Sequence, residues 1–227
     1  MTTLQNVLRS RPYPGRGCVA ARTSLGDLVF IYFLTGRSAA SKNRELSETT
    51  NGDIIVRDRS NSQHDALRHY CAAVRRGGWR VIGNGDQVEP IAASLAAGRD
   101  MLATWSEHTF EPDPPIFTSR IWMAHQDAGA DCILGFARRS ERSDGSVDRV
   151  AWVTDYLAPG SAVLMTTYGG SSDHVTSTPG PTAVTVAADS RSGVLDEVWQ
   201  ALHPDVKVAA FAVSPSDRST GSLIVSS

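Results

Sequence analysis

The stretch GCVAARTSLGDLVFIYFLTGR, Gly17–Arg37, decides how the chain is read. Val19–Arg22 and Leu28–Leu34 are apolar runs rich in β-formers, and Gly26 and Asp27 sit between them. That pattern predicts a β-hairpin with Gly-Asp in its turn. Further strands are read outward from it. DIIVRDR from Asp53 is one, and GWRVIGNGD is a strand running into a turn. SQHDALRHYCAAVRR puts Ala66, Leu67, Tyr70, Cys71 and Val74 near helical spacing, although its second half reads equally as a strand. The clearest helix is VEPIAASLAAGRDMLATWSEHTF, where Ile91, Leu95, Met101, Leu102 and Trp105 recur at helical intervals.

Three prolines follow in EPDPPIFTSRI (Glu111–Ile121), which forbid helix and predict an extended, rigid path. Beyond them DCILGFARRS, DRVAWVTDYL, SAVLMTTYGG, TAVTVAAD and KVAAFAVSP read as strands, interrupted by the helix SGVLDEVWQALHP. GGSSDHVTSTPGP is a loop by composition. No internal repeat and no linker divides the chain. The order of elements predicts one α+β domain over residues 1–227, with stacked sheets.

Composition narrows the function. With 41% apolar and 20% charged residues the chain reads as globular and soluble. A net charge of -2 lacks the concentrated basic surface of a nucleic-acid binder. Cys18, Cys71 and Cys132 are far apart, odd in number and without CxxC spacing, so neither a zinc site nor a disulfide framework is expected. The histidines show no HxH or HExxH spacing, and no metal is expected. MTTLQNVLRSRPYPGRG lacks the apolar core of a signal peptide, and no run approaches the ~18 apolar residues of a membrane span. A cytoplasmic protein without membrane partners is expected.

Directly after the hairpin comes TGRSAASKNRELSE, Thr35–Glu48. Arg37, Lys42 and Arg44 together with Ser38, Ser41 and Asn43 make a poor core, an ordinary surface loop or a good anion pocket. Lys42 is notable because the chain's only other lysine is Lys207. YPGRG (Tyr13–Gly17), NGDQ (Asn84–Gln87) and the proline stretch are the other polar clusters. Taken singly, YPGRG reads as a turn, NGDQ as a type I′ hairpin loop and the prolines as a connector. Taken together, Arg16, Arg37, Lys42, Arg44 and Arg120 are phosphate-binding types. Asn43, Asn84 and Gln87 are suited to an amide or a base edge, and Asp86 and Glu111 to moving protons. Cys18, after a glycine near a strand start, reads as a buried structural residue ahead of a nucleophile.

The order YPGRG, YFLTGRSAASKNR, NGDQ, EPDPPIFTSRI, TTYGG resembles the archaeal-type IMP cyclohydrolase family over nearly the whole chain. The resemblance implies a four-layered αββα fold like that of the N-terminal-nucleophile hydrolases, without self-cleavage. It implies dehydrative closure of formamidoimidazole carboxamide ribonucleotide (FAICAR) to IMP in purine biosynthesis, with no cofactor. A purine nucleotide is the implied partner, and assembly of identical subunits is expected of this fold class. Glu111, Asp86 and Lys42 become the candidate catalytic residues. Arg16, Arg37, Ser38, Asn43, Arg44, Asn84, Arg120 and Tyr168 become candidate substrate ligands. Asp86 lies in a tight Asn-Gly-Asp turn, where a carboxylate commonly bonds its own backbone. Glu111, among arginines, is expected to stay ionised, as a base or as the structural partner of Arg120 or Arg44. Arg16, Arg37, Asn43, Arg44, Asn84, Asp86, Glu111 and Arg120 are expected to line one pocket. Where the family continues past TTY with a Leu-Pro-Ser-Phe type segment, this chain has SSDHVTSTPGP. A paralogue acting on a related nucleotide, or a nucleotide-binding protein without catalysis, therefore stays open.

Overall fold

The computed structural model describes residues 1–60, 67–127, 129, 131–142, 145–171, 173–215 and 221–227. The chain runs α1 (Leu4–Arg9), β1 (Arg16–Arg22), β2 (Leu28–Thr35), α2 (Ala39–Lys42), β3 (Arg44–Glu48), β4 (Ile54–Asp58), β5 (Tyr70–Arg76) and β6 (Trp79–Gly83). It continues through α3 (Val88–Ala96), α4 (Met101–Ser106), β7 (Arg120–Gln126), β8 (Cys132–Arg139), β9 (Val147–Thr154) and β10 (Ser161–Thr166). The last elements are β11 (Thr182–Thr185), α5 (Arg191–Ala201), β12 (Lys207–Val213) and β13 (Leu223–Ser226).

The predicted hairpin is present. β1 and β2 pair antiparallel from Arg16↔Leu34 to Arg22↔Leu28, and Gly26 takes a φ of 101° in the turn. The run LVFIYFL shows no polar alternation because β2 is buried on both faces. Phe30, Tyr32 and Leu34 face Ile82, Met123 and Leu134 of a second sheet. Val29, Ile31 and Phe33 face Leu4 and Leu8 of α1 and Val194 and Val198 of α5. The first sheet has six strands in the order β11-β10-β1-β2-β12-β13, and the second has seven, β3-β4-β5-β6-β7-β8-β9. The outer face of the second sheet buries Val81, Trp122 and Ala124 against Val88, Ile91 and Leu95 of α3 and Trp105 of α4. Trp105 and Trp122 meet edge to face, with centroids 5.2 Å apart. The layers are α1/α5, sheet, sheet, α3/α4: the expected αββα sandwich.

Several local expectations change. The long helix is two, because Gly98 at φ 72° ends α3 and Asp100 caps α4 by accepting the Ala103 N–H at 2.9 Å; Leu102 is consequently exposed. Residues 61–66, including Ala66 of the ambiguous segment, lie outside the described residues, and its second half is β5. NGDQ is not a hairpin loop, since β6 pairs next with β7; it leads into α3 with Gln87 at the N-cap. The proline stretch is a turn rather than an extended path. The N–H groups of Ile116 and Phe117 donate to the Asp113 carbonyl at 3.1 and 3.2 Å. β3 was hidden inside TGRSAASKNRELSE, and α1 and β13 had no forecast.

Candidate active site

The antiparallel registers bring one set of strand ends together: the starts of β1, β3, β5 and β7 and the ends of β2, β4, β6 and β10. A cavity of ≈ 160 Å³ opens among them. YPGRG, the segment after β2, the proline turn and Tyr168 all contribute walls. Close backbone approach shapes the rim. A Cβ on Gly15 (φ 74°) would lie 2.2 Å from Thr167 Oγ1 and 2.5 Å from the Tyr168 ring, and one on Gly36 would lie 2.6 Å from the Ser41 backbone.

Arg16, first residue of β1, is buried, and its Nη2 donates to Glu111 Oε2 at 2.9 Å. Glu111 Oε1 accepts from Asn84 Nδ2 at 3.2 Å. Asn84 is fully enclosed, also donating to the Ser119 carbonyl at 3.0 Å and accepting the Ile121 N–H at 2.6 Å. Gln87 Nε2 donates to Asn84 Oδ1 at 3.3 Å, and Gln87 Oε1 accepts from Arg120 Nη1 at 3.1 Å. Arg120 in turn pairs with Asp86. One network thus runs from Arg16 in the pocket to Asp86 outside it.

Burial is the largest influence on Glu111 and pushes its carboxyl up to about 7, against the opposing pull of Arg16. This narrows the expectation that Glu111 stays ionised because arginines surround it: taking a carboxylate out of water outweighs the pull of Arg16 and Arg44, so the group is only partly ionised near neutral pH. Its arginine partner is Arg16, not Arg120 or Arg44. Burial acts to lower Arg16, but Glu111 and nearby phenols outweigh it and hold its guanidinium well above the ordinary range. Burial, then Arg16, lowers Arg120 to about 10. Burial also raises the Tyr168 phenol, with Arg16 pulling the other way.

Residues 13–219 of this chain match the family model described as IMP cyclohydrolase-like protein. The chain belongs to that family. Membership carries a cyclohydrolase-type role and a nucleotide substrate. A search of curated proteins finds no match.

For this IMP cyclohydrolase-like protein, the site residues read from sequence divide by position. Arg16, Ser38, Arg44, Glu111 and Tyr168 line the cavity. Arg44 is fixed there by donating from Nε to the Ser41 carbonyl at 2.9 Å and from Nη2 to the Thr35 carbonyl at 3.0 Å. Ser38 and Ser41 form a reciprocal capping box on α2. Arg37 lies over the Tyr13 ring, 5.7 Å from its centroid. Arg37, Lys42, Asn43, Asn84, Asp86 and Arg120, expected in one pocket or at its substrate, are not among the lining residues. Lys42 is exposed on α2. Asn43 donates to Asp58 at 3.1 Å, and Asp58 accepts from Arg68 at 3.3 Å, so Asn43 supports a pocket arginine from behind. Among the described residues, Asp86 accepts no hydrogen bond from the backbone of its own turn; it extends outward to Arg120 and borders a neighbouring cavity of ≈ 320 Å³ lined also by His69, Tyr70 and Gly85.

Sequence reasoning did not select Asp113, Thr118 or Arg68, which also line the pocket. The first two stood inside the quoted proline motif. Arg68 carried no signal. Cys18 is fully enclosed, and burial raises its thiol well above the ordinary range, as suits a structural residue rather than a nucleophile. Among the described residues no His, Cys, Asp and Glu group of three or more converges on a metal position, and no helix is long and apolar enough to cross a membrane.

Proposed function

We propose that this protein closes FAICAR to IMP in the cavity at the shared strand ends, with residues 1–227 acting as one domain. The buried Arg16–Glu111 pair carries the reading, since its carboxyl lies near 7 beside a polar cavity. A carboxyl at that value is partly protonated at neutral pH and can both take and return a proton. Ring closure needs both operations. The carboxamide nitrogen bonds to the formyl carbon and loses a proton while the formyl oxygen gains one. The resulting hydroxyl then leaves as water with a second nitrogen-bound proton.

Glu111 acts as the proton carrier, and the Arg16 guanidinium faces the oxyanion that forms on the formyl oxygen. Arg44, with Arg68 and the Ser38 hydroxyl, holds the phosphate. Tyr168 contacts the heterocycle. Asn84 positions Glu111, and Asp86 and Arg120 act through that network rather than on substrate. Arg37 and Asn43 brace Tyr13 and Arg68, while Lys42 contributes charge at the rim. A cytoplasmic setting is supported by the three cysteines, all free thiols. Assembly of identical subunits is supported by the edge strand β9, which exposes Val150, Trp152 and Val153.

The test is an absorbance assay with synthetic FAICAR. Conversion to IMP is the expected result. A thermal-shift response to IMP without turnover of FAICAR would replace the enzyme reading with a binding one.

A further inference from the structure

Tyr168 approaches the cavity with its ring stacked on Tyr13, centroids 5.5 Å apart. Its hydroxyl lies 2.6 Å from Thr118 Oγ1. Thr118 is almost wholly enclosed, and both its donors are committed. Its N–H donates to Asp113 Oδ1 at 2.7 Å, and its hydroxyl donates to Asp113 Oδ2 at 2.5 Å.

These contacts fix a direction. An ionised carboxylate only accepts, so the single hydroxyl proton of Thr118 must point at Asp113. The contact between Thr118 and Tyr168 then needs a proton from the phenol, since two facing lone pairs would repel. The chain runs Tyr168 O–H to Thr118 O–H to Asp113. Having used its only proton, the phenol oxygen has nothing but lone pairs left for the cavity.

We propose that Asp113, acting through Thr118, fixes Tyr168 as a hydrogen-bond acceptor toward the substrate, so that the site selects an N–H, such as that of a primary carboxamide, over a carboxylate at this position. Asp113 and Thr118 are positioning residues here, and Tyr168 is the group that touches the ligand. A buried acceptor facing a second acceptor leaves both unpaired, which is where such a site gains its discrimination.

Two measurements test this. The first rests on the nucleotide reading above and compares Kd for an imidazole ribonucleotide bearing a 4-carboxamide with that for its 4-carboxylate counterpart. In Asp113→Asn the Oδ1 acceptor stays on the Thr118 N–H, while the new amide donates to the Thr118 hydroxyl. The hydroxyl turns to Tyr168, and the phenol proton turns into the cavity. The preference for carboxamide should fall by roughly tenfold or more. Thr118→Val cuts the chain, so Asp113→Asn should change the preference little further in that background, whereas Thr118→Ser should retain the wild-type preference. Equal effects of Asp113→Asn with and without Thr118→Val would reduce Asp113 to a through-space charge and overturn the proposal. The second measurement needs no substrate. Neutron diffraction of the wild-type protein should place the Tyr168 deuteron toward Thr118 Oγ1. A deuteron directed into the cavity overturns the proposal whatever the protein's reaction is.

Discussion

Two arginine–carboxylate pairs sit at opposite ends of one hydrogen-bond network. Arg16–Glu111 has side-chain exposures of 8% and 3%, and Arg120–Asp86 has 12% and 56%. The residue types match, and Asn84 and Gln87 join them. Burial of the carboxylate separates them. Water solvates Asp86, so its pair resembles a surface ion pair, commonly worth under ~1 kcal/mol. Glu111 has no such solvent, so its charge exists at a cost that Arg16, Asn84 and the more distant Arg44 offset. A proton carrier belongs at the dry end.

The comparison can be broken most forcefully at Arg16. Arg16→Met leaves Glu111 buried without its cation and should destabilise the fold by about 3–5 kcal/mol in urea titration at neutral pH. A loss near that of a surface pair would erase the difference.

Next is pH. The folded-state carboxyl of Glu111 stands near 7, above its ordinary 4.5. The native state therefore binds the extra proton, and stability from this group is full below about pH 4.5 and is lost as pH rises through about 7. Wild type should lose up to about 3 kcal/mol relative to Glu111→Gln across that window. A difference between the two proteins that does not vary with pH would contradict it.

Kinetics comes third. Glu111→Gln keeps the shape and removes the ionisation; it should still bind IMP while ring closure slows by roughly 100-fold or more. Turnover near wild type would end the proton-carrier role, and joint loss of binding and turnover would make the residue structural. The smallest effect belongs to the wet end. Asp86→Asn should cost under ~1 kcal/mol of stability and leave kcat/KM within a few-fold of wild type.

How much of this was legible depends on the range of the interaction. The hairpin was readable because β2 is apolar throughout and its turn is local. The αββα order followed from the family motifs. What sequence could not give was depth. Glu111 and Arg16 are neighbours only after β1 and the proline turn meet, so their burial, and with it the rise of the Glu111 carboxyl to about 7, was invisible. Asn43 and Asp86 carried the right chemistry but ended outside the cavity lining, because each is tied to a partner behind or beside it. Gly98 was in plain view and still overlooked, since apolar spacing on both sides of it hid the break. β3 was missed because the cations at its start masked a short strand that buries only Leu46 and Arg44.

The edge-to-face pair of Trp105 and Trp122 has an optical consequence. Two indoles 5.2 Å apart couple their excited states, giving the α4 side of the sandwich a circular-dichroism band of its own. The cavity at the shared strand ends is lined by Tyr13 and Tyr168 and, among the described residues, by no tryptophan. Docking of the outer helix and ordering of the cavity can therefore be followed as separate colours in a single melting experiment.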